Sequence, residues 1–229
     1  MSKTFLFAGA SSAIAQAVLA QLQGDKVIAL STKDSLPPQY STYFQVVYYS
    51  KINLPDIDEP LDGLVYFPGS INLRPFNRIS EEDFMAEYKL NALGAVSVIQ
   101  KYLANLKKAP SASIVLISTV AATQGMPFHA SISMAKSAIE GLTLALAAEF
   151  APNIRVNAVA PSLTQTPLAD KLLNSPEKVE ASDKRHPLKR VGQAEDIANA
   201  IHFLLTGKSA WMTGQILNVD GGMSSIRSL

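Results

Sequence analysis

The chain contains no cysteine, which excludes disulfides, thiolate metal sites and cysteine nucleophiles. It has only three histidines, at positions 129, 186 and 202, and their wide spacing argues against a zinc site. Charge is scarce too. Asp, Glu, Lys and Arg make up 17% of the 229 residues and the formal net charge is +1, so nothing in the composition would attract nucleic acid or an anionic membrane. The densest basic stretch, Lys184-Arg185-His186 with Lys189-Arg190, reads as a solvated loop face. No apolar run reaches the ~20 residues of a membrane span, and Thr4–Ala8 begins a strand-like segment without a signal-peptide pattern. A cytoplasmic protein is expected. A serine hydrolase is not supported: there is no Gly-x-Ser-x-Gly elbow and no Ser–His pair is apparent.

What is present suits a well-filled core, with 48% hydrophobic residues. Short apolar runs predict strands at 3–8, 26–30, 44–49, 63–67, 113–118, 154–159 and 215–219. Ile114-Val115-Leu116-Ile117 has no polar alternation, the pattern of a strand buried on both faces of a parallel sheet. Periodicity and caps predict helices over 12–23, 81–107, 130–151, 167–174 and 194–206, the second opened by a Ser80/Asp83 capping box. The alternation predicts an α/β fold, a Rossmann-type doubly wound parallel sheet of about seven strands with helices on both faces. Nothing resembling a linker divides residues 1–229, so one domain is expected. Pro37-Pro38 in 31–43, and Pro55 and Pro60 in 51–62, shorten two crossovers. A thinner layer on that face of the sheet is expected.

The first strand ends in Gly9-Ala10-Ser11-Ser12-Ala13-Ile14-Ala15, and a helix follows. Small residues let the backbone approach a pyrophosphate, and a helix amino terminus offers free N–H groups. Taken alone, this stretch is equally a tight turn. Longer runs decide between the two. Ile154-Arg155-Val156-Asn157-Ala158-Val159-Ala160-Pro161 is one. The others are His186-Pro187-Leu188 with Arg190-Val191-Gly192, and Trp211 through Gly222 with its Asn218-Val219-Asp220-Gly221-Gly222 end. In order and spacing these resemble the short-chain dehydrogenase/reductase family from Lys3 to Gly222.

The resemblance implies a nicotinamide nucleotide site. Gly9, Ser11, Ser12 and Ile14 would line the pyrophosphate and ribose. Tyr66-Phe67-Pro68-Gly69 stands where the family has Asn-Asn-Ala-Gly. Gly69 keeps the backbone path along the adenosine, while the side-chain hydrogen bonds that order the sheet centre would be lost. After Pro161, Thr164 would offer backbone groups to the carboxamide, and Thr166 a hydroxyl. At the end of the second strand a carboxylate would mark NAD. Here Ser31, Thr32 and Lys33 stand instead, groups that can donate to and neutralise a 2′-phosphate. NADP(H) is therefore the expected cofactor, with NAD possible; Lys33 read by itself is an ordinary surface lysine.

The family's Tyr-x-x-x-Lys pair is incomplete. Lys136 matches the lysine, Asn91 the helix asparagine and Thr119 the catalytic serine position, but the tyrosine position is Ile132, which cannot donate a proton. Three readings follow. His129, seven residues before Lys136, has the spacing at which the superfamily's enoyl-acyl-carrier-protein reductases place their tyrosine, and histidine donates near neutral pH; it is equally a loop histidine without a chemical role. Alternatively water, through Asn91 and Thr119, protonates the substrate. In the third reading the chain is a catalytically impaired NAD(P)-binding homologue with a regulatory or partner-binding role. The favoured function is an NADP(H)-dependent oxidoreductase acting on a small-molecule carbonyl, alcohol or conjugated alkene. Tyr48-Tyr49, Tyr88 and Tyr102 read as core or interface aromatics, and Glu140 as a solvated helix residue. The resemblance also implies a homodimer or homotetramer through helices 81–107 and 130–151. The tail from Met223 to Leu229 would reach a neighbouring subunit or fray.

Overall fold

A computed structural model of the chain describes residues 2–35 and 37–226. Seven parallel strands form one sheet in the order β3-β2-β1-β4-β5-β6-β9: β1 Thr4–Ala8, β2 Lys26–Ser31, β3 Thr42–Gln45, β4 Gly63–Tyr66, β5 Ala112–Ile117, β6 Ile154–Pro161 and β9 Ile216–Val219. A second, two-stranded pairing joins β7 Thr164–Gln165 to β8 Gly192–Gln193. The helices are α1 Ala13–Leu19, α2 Glu81–Tyr88, α3 Gly94–Lys108, α4 Ala130–Phe150, α5 Asp170–Leu173, α6 Pro176–Arg185 and α7 Ala194–Leu205.

Alternate residues of each central strand feed two cores, which is why the strands read as unbroken apolar runs. Phe5, Phe7, Val65, Val115 and Val159 pack beneath α1 and α7. Leu6, Leu64, Ile114 and Val156 pack with Val98, Tyr102 and Ile139 of α3 and α4. Ala8 of β1 lies beside Tyr66 of β4. The connections leave these two strands in opposite directions, so a crevice opens beyond their carboxyl ends.

Six of the seven predicted strands lie within about two residues of their expected bounds. The third is displaced: pairing runs over Thr42–Gln45, and Val46 donates a last backbone bond to Ser31 O. The apolar run beyond it, expected to continue the strand, turns away, with Val47 and Tyr48 largely exposed. The expectation of one thinned face is corrected. Neither of the two short crossovers carries an α-helix, but they cover opposite faces: Tyr40 joins the α1/α7 core, whereas Val46, Leu54 and Leu61 join the α3/α4 core. Right-handed crossovers dictate this, because the chain reverses direction along the sheet after β3. Helix α6 was not expected, although Ser175, whose side chain accepts from Lys178 N, and Pro176 in the first turn form a readable start signal. The helix expected over 167–174 is a 3₁₀ turn, Pro167–Ala169, followed by one turn of α5.

The long helix expected over 81–107 begins at the Ser80/Asp83 capping box as predicted, but it is interrupted. Residues Lys89–Leu93 form a π turn, and Tyr66 explains it. The Tyr66 hydroxyl donates to Leu90 O at 2.6 Å, the carbonyl that Gly94 N–H would use in an α-helix. Gly94 N–H goes to Lys89 O instead, one residue further back. A side chain at Gly94 would run into the Tyr66 phenol. Tyr66 therefore does not leave the sheet centre untied, as its replacement of asparagine had suggested; it ties β4 to this helix. Tyr66→Phe is expected to lower the unfolding free energy by about 1–2 kcal/mol, the cost of a buried acceptor left unpaired. Gly94→Ala is expected to cost roughly 1–3 kcal/mol through overpacking against the same phenol. Urea unfolding of both variants measures this, and wild-type midpoints in both would contradict the account.

Candidate active site

A cleft of about 1060 Å³ crosses the carboxyl ends of the strands. Among the residues expected to bind or react, Gly9, Ser11, Ser12, Ile14, Thr32, Lys33, Gly69, Thr119, His129, Lys136, Pro161, Thr164 and Thr166 line it. Ser31 and Asn91 do not. Ser31 is buried and its hydroxyl accepts from Lys33 N at 3.1 Å, so it shapes the turn that carries Lys33. Asn91 is fully buried behind Gly69.

At the amino-terminal end, Gly9 adopts φ +79 and a Cβ there would stand 2.8 Å from Pro68 Cδ. Only glycine lets the turn after β1 close against the loop after β4. Ser12 caps α1 without a side-chain hydrogen bond, so the first N–H groups of the helix have no side-chain acceptor. Tyr48 and Tyr49, read as core or interface aromatics, line this end of the cleft. Tyr49 packs edge-on against Tyr66 at 5.6 Å, and burial pushes its phenol up to about 12.

The chemical end is built around Lys136. Its ammonium is buried and donates to Ile117 O at 2.8 Å. Burial draws its pKa down to about 8, and the charge of Glu87 opposes that fall. Asn91 sits on the π turn, where its Nδ2 reaches Glu87 O at 2.9 Å, Glu87 Oε2 at 3.1 Å and Ser70 Oγ at 3.3 Å. Its Oδ1 is buried and has no partner. A Cβ on Gly69 would lie 3.5 Å from both Asn91 Oδ1 and Lys136 Nζ, so an acceptor and a donor converge on one small gap. That pairing fits vicinal hydroxyls such as those of a ribose. Glu87 and Ser70 were missed from sequence. The four-residue spacing of Glu87 and Asn91 on one helix was the available signal, but only the fold shows that Glu87 is buried.

Ile132 lies one helical turn before Lys136 and is buried, so hydrocarbon fills the place of a phenol. Thr119 Oγ1 is 3.4 Å from both Pro161 O and Ala121 N. Ser118 Oγ donates to Glu140 Oε1 at 2.6 Å; Glu140, expected to be a solvated residue, is instead a tie between α4 and β5. His129 is the half-buried residue preceding α4, with Nδ1 2.7 Å from Pro127 O, and it lines the cleft. Two further corrections concern the basic segment. His186 is buried, not a solvated loop residue. Its Nε2 lies 2.9 Å from Ser162 Oγ and its Nδ1 lies 2.8 Å from Ser182 O, a Ser–His pair between residues too far apart in sequence to be paired there. Met223 Sδ also accepts from Ser162 Oγ at 3.0 Å. The tail thus returns to the cleft in its own subunit as far as Met223; residues 227–229 lie outside the described residues.

Residues 56–224 match a protein-family model described as enoyl-(acyl carrier protein) reductase. The chain belongs to the short-chain dehydrogenase/reductase family. Curated relatives include the 3-oxoacyl-[acyl-carrier-protein] reductase FabG of Thermotoga maritima, 38% identical over 64% of this chain and 59% of that protein. The L-xylulose reductase of Bos taurus is 33% identical over 71% of this chain and 68% of its own. Among these relatives the matched part thus spans about six to seven tenths of the other protein. Solved structures share the fold over nearly the whole chain. The ligand-free aldohexose dehydrogenase of Thermoplasma acidophilum has a TM-score of 0.90 at 25% identity, covering 100% of this chain and 96% of that one. ElxO with NADP bound has a TM-score of 0.87 at 25% identity, covering 99% and 100%. Lys136 and Asn91 approach each other behind Gly69, and Thr119 and Ile132 line the same cleft as Lys136. No helix among the described residues is long and apolar enough to cross a membrane.

The depressed pKa of Lys136 makes a stability prediction. Above pH 8 the folded lysine has lost its proton, while an unfolded lysine keeps it until about 10.4. The unfolded state then binds more protons, so the contribution of this group to stability rises with pH across that window. The unfolding free energy of the wild type relative to Lys136→Met is expected to rise by roughly 2 kcal/mol between pH 8 and 10. Chemical denaturation at several pH values measures it, and a flat difference would show that burial does not perturb this lysine.

Proposed function

We propose that this chain is an NADP(H)-dependent oxidoreductase acting on a carbonyl, alcohol or conjugated alkene of a small molecule. The observation that carries the reading is the convergence of Lys136 Nζ and the unpartnered Asn91 Oδ1 behind Gly69, at the switch point of the sheet where such folds bind nucleotides. When bound, the reduced nicotinamide supplies a hydride. The rest is the work of the chain. Gly9, Ser11, Ser12 and Ile14 would hold the pyrophosphate at the start of α1, Thr164 and Thr166 would orient the carboxamide, and Lys136 with Asn91 would hold the ribose.

The preference for the phosphorylated nucleotide rests on Thr32 and Lys33, which line the cleft where β2 ends. Asp34, the nearest carboxylate in the chain, is exposed and outside the lining. The presence of NADP in the ElxO structure is consistent with this choice. Proton delivery falls to His129, which lines the cleft at the cap position just before the helix of Lys136, with Thr119 polarising the substrate oxygen. General-acid help of this kind is typically worth on the order of 10²–10⁴ in rate. A homodimer or homotetramer is proposed through α4, whose outward face carries the exposed Met134 and Leu144 beside Gly141, Ala145 and Ala148.

Fluorescence titration should show NADPH binding more tightly than NADH, and Lys33→Glu should weaken NADPH about tenfold or more while sparing NADH, the size of a lost charge-assisted bond. Equal affinities, unchanged by the substitution, would rule out the phosphate role of Lys33. In turnover assays with small carbonyl compounds, His129→Ala should lower kcat at least 10²-fold if it is the acid, and Ile132→Tyr should restore or raise it. Turnover that is absent in the wild type and appears only in Ile132→Tyr would favour the impaired-homologue reading. Sedimentation should give an oligomer that Leu144→Arg dissociates; a wild-type monomer would exclude this interface.

A further inference from the structure

The sequence offered no partner for a nucleophilic serine, and the fold supplies one. Ser162 follows the last residue of β6, and it lines the cleft together with His186. The imidazole of His186 is otherwise buried, 2% exposed. Its Nδ1 lies 2.8 Å from Ser182 O on α6, and a carbonyl can only accept, so Nδ1 carries the hydrogen. Nε2 of the neutral imidazole is then the acceptor, and Ser162 Oγ donates to it at 2.9 Å. Ser162 Oγ also lies 3.0 Å from Met223 Sδ. A hydroxyl has one hydrogen and a thioether is a weak acceptor, so the neutral imidazole takes that hydrogen. The backbone beneath is pinned as well, because Thr164 Oγ1 donates to Ser162 O at 3.0 Å. A serine, a base within hydrogen-bond reach and a third group that fixes the tautomer of the base together form the arrangement that activates a hydroxyl for attack.

We propose that Ser162 is an acylatable nucleophile with His186 as its general base, and that the cleft hydrolyses activated esters or thioesters of short apolar acids, a second activity that needs no nucleotide. Ser162 Oγ bonds to the acyl carbon while its proton passes to His186 Nε2. The alcohol or thiol leaves with that proton, giving an acyl-serine. Water, deprotonated by the same nitrogen, then releases the acid and restores the serine. The lining suits both parts of such a substrate. Met126, Leu163, Leu168 and Leu172 offer apolar surface to the acyl chain. The charged residues that line the cleft are all cations, Lys33, Lys89, Lys136 and Arg185, and no Asp or Glu lines it among the described residues. Negative charge that develops on the acyl oxygen therefore meets no carboxylate. The group that fixes Nδ1 is a carbonyl and carries no charge, so it stabilises the imidazolium less than the aspartate of a full triad does, and activated acyl donors are the class that reacts. The inference does not rest on the nucleotide site, and failure of either leaves the other standing.

The test uses the full chain without nucleotide and a fluorophosphonate, which bonds to an activated serine oxygen with loss of fluoride. Intact mass should show a single label per chain, and peptide mapping should place it on Ser162. Hydrolysis of p-nitrophenyl butyrate, followed by nitrophenolate release, should fall about tenfold or more in both Ser162→Ala and His186→Gln, since general-base help is typically worth on the order of 10²–10⁴ in rate. His186→Gln keeps a side chain that can hydrogen-bond Ser162 but has no base, so a pair that only fastened α6 to β6 would not show this loss. His202→Gln, on α7 and outside the lining of the cleft, should match the wild type and controls for the loss of a histidine. An unlabelled wild type, a label on a residue other than Ser162, or nitrophenolate release unchanged in Ser162→Ala would overturn the proposal. Thermal unfolding of each variant accompanies the assay. Should a variant not fold, the labelling map of the wild type decides: a label on Ser162 supports the nucleophile, and its absence refutes it.

Discussion

An ammonium group held away from water constrains everything around it. Lys136 lies inside the protein with one carbonyl, Ile117 O, as its hydrogen-bond acceptor, and burial favours the loss of its proton. The surroundings are arranged against that outcome. The carbonyl comes from the last residue of β5, at the carboxyl end of the sheet. The space in front is kept open by Gly69, and a carboxyl and an amide stand behind it on the segment from α2 to the π turn. Sheet, loop and helix must each be in register for one lysine to remain useful.

That register passes through Tyr66. Its phenol takes the carbonyl of Leu90 and forces the Gly94 N–H one residue back. The resulting π turn widens the helix where Asn91 needs to point inward while α3 continues along the sheet. Extra residues of this kind in a helix recur at functional sites, because they re-aim a side chain without ending the helix. A tyrosine in place of a family asparagine looked like a loss of order. In the fold it is a different tie between the same two elements, β4 and the helix carrying Asn91.

The same logic covers the other departures from the family pattern. Pro68 can follow Phe67 because Gly9 has no Cβ to meet it. Ser162, next to Pro161, finds the buried imidazole of His186. Ile132 is buried one turn before Lys136, and the lysine bonds instead to a backbone carbonyl of the sheet, Ile117 O. Each change brings a partner from a different part of the chain.

The order of the sheet's strands, the doubly wound class and the turn after β1 were legible in the sequence, and so were most of the long helices. Hydrophobic periodicity and capping residues are local signals, and parallel strands buried on both faces leave little ambiguity. The residues that carry the family resemblance, Lys136, Asn91, Thr119 and Gly9, were legible from the short runs of sequence around each of them. The end of β3, the two faces covered by the short crossovers, and the π turn were not. Those depend on which carbonyl a distant phenol reaches and on where the sheet reverses direction. The burial of Glu87, the Ser162–His186 pair and the tie from Glu140 to Ser118 were not legible either, since each needs separate elements packed together before it exists. Sequence by itself determined the frame and pointed to the end of the sheet where the cleft lies. Tertiary structure decided which polar groups face one another, because charge and hydrogen bonding act across space and take no account of distance along the chain.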